Sequence, residues 1–155
     1  MTKTKSKKRP ARECEHYVFE MFDPRRSYSW AINGGDLFDG LYWEHASIDF
    51  SGACIWPERL KGEVIAAALV GARVRMDPPS HHKDWRPTGI GMLELNKRQK
   101  QFYAQIPMHS FWPLSQAIER NELRVMVLYG PALYRGKSMS TSMNFEREFD
   151  PEIVV

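Results

Sequence analysis

The chain has 155 residues, a length typical of one compact domain, and its 43% hydrophobic and 12% aromatic content excludes a chain that is disordered throughout. It carries 22 basic and 19 acidic residues, which gives a formal net charge of +3. Six of the bases precede Glu13 and no acid does, so the rest of the chain has 16 bases against 19 acids and a charge of −3. The positive charge therefore belongs to one terminal segment.

This charge pattern divides the chain into a flexible basic tail, residues 1–12, and a single globular domain, residues 13–155. The longest apolar run, residues 64–70, is much shorter than the roughly 18 residues that a membrane-spanning helix requires. The basic tail is not followed by the hydrophobic segment of a secretory signal. We therefore expect a cytoplasmic protein that does not bind a membrane.

Cys14 and Cys54 are the only cysteines, and a cytoplasmic protein is expected to keep both reduced. Cys14 and His16 share one face of a predicted strand, so a zinc site could be completed by two further ligands such as Cys54 and His45. These four residues have no recognised ligand spacing. The sequence therefore predicts neither a metal site nor another cofactor.

Alternation of apolar and polar side chains predicts strands along most of the domain. In chain order the predicted strands cover residues 15–22, 27–32, 42–50, 53–56, 90–95, 101–106, 123–129 and 139–145. Asp23 and Pro24 are expected to separate the first two, because proline donates no ladder hydrogen bond and its preceding residue favours extended or turn geometry. The glycine pair at 34–35 predicts a tight turn, and the polar residues 96–100 predict the tip of a hairpin.

Residues 57–71 fit either a helix or a strand. Pro57 and Gly71 would suit the two ends of a helix. Gly62 and the β-branched pair that soon follows it disfavour a helix, so we predict a buried strand over residues 63–76.

One helix is predicted over residues 110–121, with Ser110 as its N-cap and with Phe111, Leu114 and Ile118 on its apolar face. One helix among seven to nine short strands predicts a mainly β domain that borders on α+β. The expected architecture is an antiparallel β-sandwich or a bent barrel.

The loop predicted over residues 77–89 concentrates imidazole, carboxylate, guanidinium and indole groups, which could together bind an anionic ligand or a metal. The candidate ligand-binding residues are His81, His82, Asp84, Trp85 and Arg86. The alternative is a polar surface loop that Trp85 anchors to the domain.

Basic residues of the tail and of the first predicted turn could bind nucleic-acid phosphates, next to aromatic residues that could stack on bases. The candidate nucleic-acid-binding residues are Lys7, Lys8, Arg9, Arg12, Arg25 and Arg26. The negative charge of residues 13–155 argues against a basic surface over the whole domain.

The chain contains no nucleophile signature of the form Gly-x-Ser-x-Gly and no phosphate-binding glycine loop, so its motifs identify no catalytic class. The leading hypothesis is a noncatalytic cytoplasmic interaction module that binds a protein partner or itself, because Trp, Tyr, Met and Arg are enriched at interfaces. One alternative is nucleic-acid binding through the tail and an aromatic and basic sheet face. The other is a small-molecule-binding or metal-assisted enzyme centred on the 77–89 loop.

Overall fold

The computed structural model describes residues 12–32, 42–73, 84 and 86–154 of the chain. Within these residues it has eight β-strands, one α-helix and two short 3-10 helices, Glu58–Leu60 and Pro151–Val154. The strands are β1 (Cys14–Ile32), β2 (Tyr42–Trp56), β3 (Val64–Ala72), β4 (Gly91–Leu95), β5 (Lys100–Pro107), β6 (Val125–Pro131), β7 (Lys137–Ser140) and β8 (Ser142–Glu146). The helix α1 (Met108–Glu119) lies between β5 and β6 in the chain.

All eight strands belong to one sheet in the order β7-β4-β5-β3-β2-β1-β6-β8. The predicted mainly β class and the predicted number of strands are confirmed. The sheet is mixed, because β3 and β5 run parallel while the other pairs are antiparallel. This parallel pair arises because the β4–β5 hairpin places its second strand, not its first, beside β3. Such an arrangement leaves no local sequence signal.

The two ends of the sheet lie close together because β7 and β8 are separated only by Thr141. The backbone N–H of Thr141 donates to the carbonyl oxygen of Tyr129 in β6 at 2.8 Å. Gly130 permits this approach, since a Cβ there would lie 2.8 Å from the carbonyl oxygen of Met139. The strand predicted over residues 139–145 is thus two short strands with different partners, and the sheet bends without closing into a barrel.

The chain does not break at Asp23 and Pro24 as predicted, since β1 continues through them for 19 residues. Phe22 pairs with Ser51 and Arg25 pairs with Asp49, so β1 has one more residue than β2 in this interval. Asp23 has φ +52°, a left-handed conformation that accommodates the extra residue as a β-bulge. Proline is compatible with β1 here because it lies in the bulge and not in the regular ladder.

The main core lies on one face of the curved sheet and is covered in part by α1, while a smaller cluster of Val18, Val125 and Val127 is buried on the other face. The largest fully buried side chains of the main core include Tyr17, Phe19, Ile48, Leu69, Leu93, Phe102, Phe111, Met126 and Leu128. Gly71 of β3 lets the helix come close, because a Cβ there would lie 2.8 Å from the Met108 sulfur and 3.1 Å from the Phe111 ring. The face of the sheet that carries these residues is called the core face below, and the other is called the outer face.

The predicted helix exists, but it begins at Met108 and not after Ser110. Its N-cap is Pro107, so Ser110 makes no cap and Pro113 lies inside the helix. At the other end Asn121 has φ +61°, and the N–H of the next residue donates to the Ala117 carbonyl oxygen at 2.9 Å. This Schellman-type hydrogen bond ends the helix.

Three further elements follow the sequence closely. In the stretch that fitted either a helix or a strand, residues 64–72 form the strand β3 after the short 3-10 helix, and the end of the predicted strand at residues 74–76 lies outside the described residues. The polar residues 96–99 separate β4 from β5, and β6 is buried over its first four residues. No described helix is both long and apolar enough to cross a membrane.

Candidate functional site

The ligand-binding candidates of the 77–89 loop lie mostly outside the described residues. His81, His82 and Trp85 are among those not described, while Asp84 and Arg86 are both exposed. Their convergence into one site stays a prediction.

The described nucleic-acid candidates do not form one cluster. Lys7, Lys8 and Arg9 fall outside the described residues, whereas the Arg12 guanidinium lies 4.0 Å from the centre of the Tyr134 ring, near the start of β1. Arg25 lies 11 residues beyond Cys14 on the same strand, which corresponds to roughly 35 Å. The described members of this set therefore do not gather at one end of the sheet.

Arg25 and Arg26 also lie on opposite faces of β1, because neighbouring strand residues alternate. Arg25 is opposite Asp49 on the outer face, whereas Arg26 forms an ion pair with Glu119 at the end of α1. Of the two, only Arg25 has a side chain without an ion-pair partner among the described residues.

The cysteines and histidines that could have formed a zinc site are also separated. Cys14 is exposed and Cys54 is buried, and the His16 ring packs against Tyr129 with a 4.7 Å centroid distance. Among the described residues no group of three or more His, Cys, Asp or Glu side chains is placed to hold a metal ion.

An open groove of about 580 Å³ lies on the outer face. Its floor is formed by Ala66 and Ala68 of β3, between Ser51 and Asp49 of β2 and the exposed Tyr103 of β5. The small alanine side chains between larger neighbours create the depression. Its charged side chains are exposed, so water competes with any ligand that enters the groove.

A second polar cluster surrounds the buried Tyr17. Its hydroxyl donates to the Glu15 carboxylate at 2.6 Å and accepts the backbone N–H of Leu133 at 2.9 Å, and Arg59 pairs with the same carboxylate. Burial and the Glu15 carboxylate raise the pKa of Tyr17 well above its ordinary value. These contacts join β1, the 3-10 helix after β2 and the segment after β6, so the cluster has a structural role.

We expect the stabilisation that this cluster provides to be lost in acid. Burial tends to raise the pKa of Glu15, but the hydrogen bonds from Arg59 and Tyr17 outweigh it and hold that pKa below the ordinary 4.5. The stabilising contribution of the carboxylate is therefore fully present above pH 4.5 and is lost as the pH falls through the lower pKa of the folded state. Urea unfolding across this range should show a shallower loss of stability for Glu15→Gln than for the unaltered chain.

The control for removing a carboxylate is Glu13→Gln, whose exposed side chain lies two residues earlier. Its pH dependence should match that of the unaltered chain. An equally steep loss of stability in Glu15→Gln would contradict a role for the ionised Glu15.

The most distinctive surface is the end of the β1–β2 hairpin. β6 pairs with β1 only as far as Glu20, and β3 pairs with β2 only from Ala46 onward. Residues 27–32 and 42–45 therefore form a two-stranded ribbon, here called the arm, which has no other strand partner among the described residues.

Large apolar side chains cover one face of the arm. Tyr28 lies opposite the buried Ala46, so the residues that share its face continue the core face of the sheet. The side chains on this surface, called the apolar stripe, are Tyr28, Trp30, Ile32, Tyr42 and the adjoining Trp112 of α1. By alternation the other face of the arm carries Ser27 and Ser29 of β1 and residues 43 and 45 of β2. The Ser27 hydroxyl lies 2.8 Å from that of Ser47, which lies just beyond the arm.

The apolar stripe is exposed even though it continues the core. Its exposed fractions range from 37% for Trp112 to 80% for Ile32, with 67% for Trp30. A large aromatic side chain has a surface of about 150–250 Å². Taken together with these exposed fractions, the five side chains of the stripe leave on the order of 600 Å² of surface uncovered. A patch of this size is at the upper end for monomeric proteins and usually marks a binding surface.

The alternation in residues 27–32 predicted a half-buried strand, but it could not show that the strand extends past its neighbours. That depends on where the pairing of β3 ends and that of β6 begins, at residues 71 and 125 in distant parts of the chain. The sequence feature that could have indicated this surface is its composition, because Trp and Tyr recur at alternate positions next to serine.

In comparisons with known proteins, no family model, no curated protein and no solved structure matched this chain.

Proposed function

We propose that the protein is a noncatalytic interaction module that binds protein through the apolar stripe on its arm. The observation that carries this proposal is the exposure of Tyr28, Trp30, Ile32 and Tyr42 on a ribbon that continues the core face. Tyr and Trp combine large apolar area with few rotatable bonds, which makes them the common anchors of protein interfaces.

The arm favours a protein partner over nucleic acid. A nucleic-acid surface needs unpaired cations beside its aromatic rings, because phosphate contacts supply most of the affinity. Among the described residues on the stripe face, the basic residue beside the rings is Arg26, just before the arm, and it is already paired with Glu119. We place the module in the cytoplasm, where free thiols such as Cys14 and Cys54 are usual.

The stripe should crosslink to protein in living cells. A photoreactive benzophenone amino acid at position 30 is expected to give covalent protein adducts, because this side chain would lie against the partner. The matched control places the same group at Tyr103, which is also exposed but lies on the outer face. Adducts should form from position 30 and not from position 103, as judged by denaturing gels and mass spectrometry.

Competition makes this experiment specific. Excess unlabelled full-length chain should suppress the adducts from position 30, whereas excess chain carrying Trp30→Ser and Ile32→Ser should not. Equal labelling from positions 30 and 103, or none from either, would show that the stripe is not the binding surface.

A further inference from the structure

We infer that the partner of the apolar stripe is a second copy of this chain, bound face to face through the same stripe about a two-fold axis. This inference rests on the proposed function, since it identifies the protein that the stripe binds. It follows from the charges around the stripe, from its area and from the two-stranded construction of the arm.

The charged groups beside the stripe are satisfied within one chain. Tyr28 donates its hydroxyl hydrogen to the Glu44 carboxylate at 2.9 Å, and Arg26 forms an ion pair with Glu119. Glu44 within the arm and Arg26 just before it are the only charged residues on this face among residues 26–32 and 42–45. The Glu44 carboxylate has this hydrogen bond but no ion pair among the described residues. The rest of the stripe face is apolar, which suits an equally apolar surface such as that of another copy.

The area also fits a pair of identical surfaces. The roughly 600 Å² of each stripe would bury about 1,200 Å² in total when two stripes meet, which reaches the lower limit of specific interfaces. A two-fold axis places the same patch on both sides of the contact, so a chain with one such patch forms a closed dimer and no larger assembly.

The arm has a structural reason to gain a second layer. A two-stranded ribbon alone is marginally stable in water, and a ribbon with one apolar face is stabilised when another layer covers that face. Two arms stacked about 10 Å apart would form a small sandwich, with the stripes inside and the serine-bearing faces outside. Trp112 of each α1 would close one side of this layer, because the centre of its ring already lies 5.6 Å from the centre of the Tyr28 ring.

Sedimentation equilibrium of the full chain tests the inference. We expect a mass of twice 18.1 kDa at micromolar concentration and a reversible shift to monomer on dilution. Trp30→Ser with Ile32→Ser should weaken dimerisation at least about 30-fold, since each side chain would be an interface anchor. Tyr103→Ser, the exposed outer-face control, should leave the dimer constant unchanged.

Disulfide trapping locates the contact without depending on those substitutions. In a chain with Cys14→Ser, single cysteines at positions 28, 30 and 32 face the proposed partner, whereas cysteines at 27, 29 and 31 face away from it. Mild oxidation should give covalent dimers from at least one member of the first set and from none of the second.

Suppose that position 30 crosslinks to a different protein. The inference would then be overturned, with the proposed function intact, if the chain is a strict monomer at all concentrations. The same holds if the chain forms a dimer that the stripe substitutions do not weaken and that the stripe cysteines do not trap. If position 30 crosslinks to no protein and the chain is monomeric, both proposals fail. A covalent adduct of position 30 with RNA would replace both with nucleic-acid binding.

Discussion

Phe102→Ala is expected to lower the free energy of unfolding by about 3–5 kcal/mol. Phe102 is 1% exposed and lies on the core face of β5, directly opposite Leu93 and Ala67. Its ring fits against Gly91, where an added Cβ would lie 2.5 Å from the tip of the ring. Truncation would remove the largest side chain from this part of the core and leave a cavity that neighbouring strands cannot fill by small movements.

Tyr103→Ala is the matched control, since Tyr103 is the next residue in the same strand but points to the outer face and is 47% exposed. Its loss should cost less than about 1 kcal/mol. Urea unfolding with equal denaturant slopes would make the two free energies comparable. Similar losses for both variants would contradict the assignment of faces in β5.

The two cysteines are expected to differ in reactivity at neutral pH by at least about 100-fold. Burial raises the pKa of Cys54 from the ordinary 9.0 to about 11, which lowers its thiolate fraction by a factor of roughly 100. Its sulfur donates to the Trp56 carbonyl oxygen at 3.2 Å and is enclosed by the core, so reagents also have poor access. Cys14 is exposed.

A disulfide reagent such as Ellman's reagent should therefore modify one thiol per folded chain rapidly, and the second only as the chain unfolds. Cys14→Ser should abolish the fast phase, whereas Cys54→Ala should retain it. If Cys14→Ser still reacts rapidly in the native state, the burial of Cys54 is not maintained in solution.

The local alternation of apolar and polar residues was sufficient to predict a strand where one face is buried and the other is exposed. In β5 the buried Phe102, Ala104 and Ile106 alternate with exposed residues, and the hairpin to β4 followed from the polar tip. Within residues 57–71, Gly62 and the β-branched pair Val64 and Ile65 disfavoured a helix, although Pro57 and Gly71 resembled helix ends. The prediction of a strand was correct for residues 64–72, because a central strand accepts apolar side chains on both faces.

Features that depend on distant residues could not be predicted in this way. The bulge at Asp23 exists because β2 offers a continuous partner on the other side of it, which no local pattern around Pro24 indicates. The hydrogen bond between Tyr17 and Leu133 joins residues 116 positions apart. The arm likewise depends on where β3 ends and β6 begins, so the composition could suggest an interface but could not locate it.

The pairing of β1 with β6 also has a consequence during protein synthesis. Residues 14–20 find their strand partner in residues 125–131, which are made about 110 residues later. At about 5–20 residues per second the nascent chain carries β1 without this partner for roughly 5–20 s. The apolar Tyr17, Val18 and Phe19 can then pair with other nascent chains. The yield of folded protein should therefore depend on translation rate and on chaperones that shield this segment, even for a chain that is stable once complete.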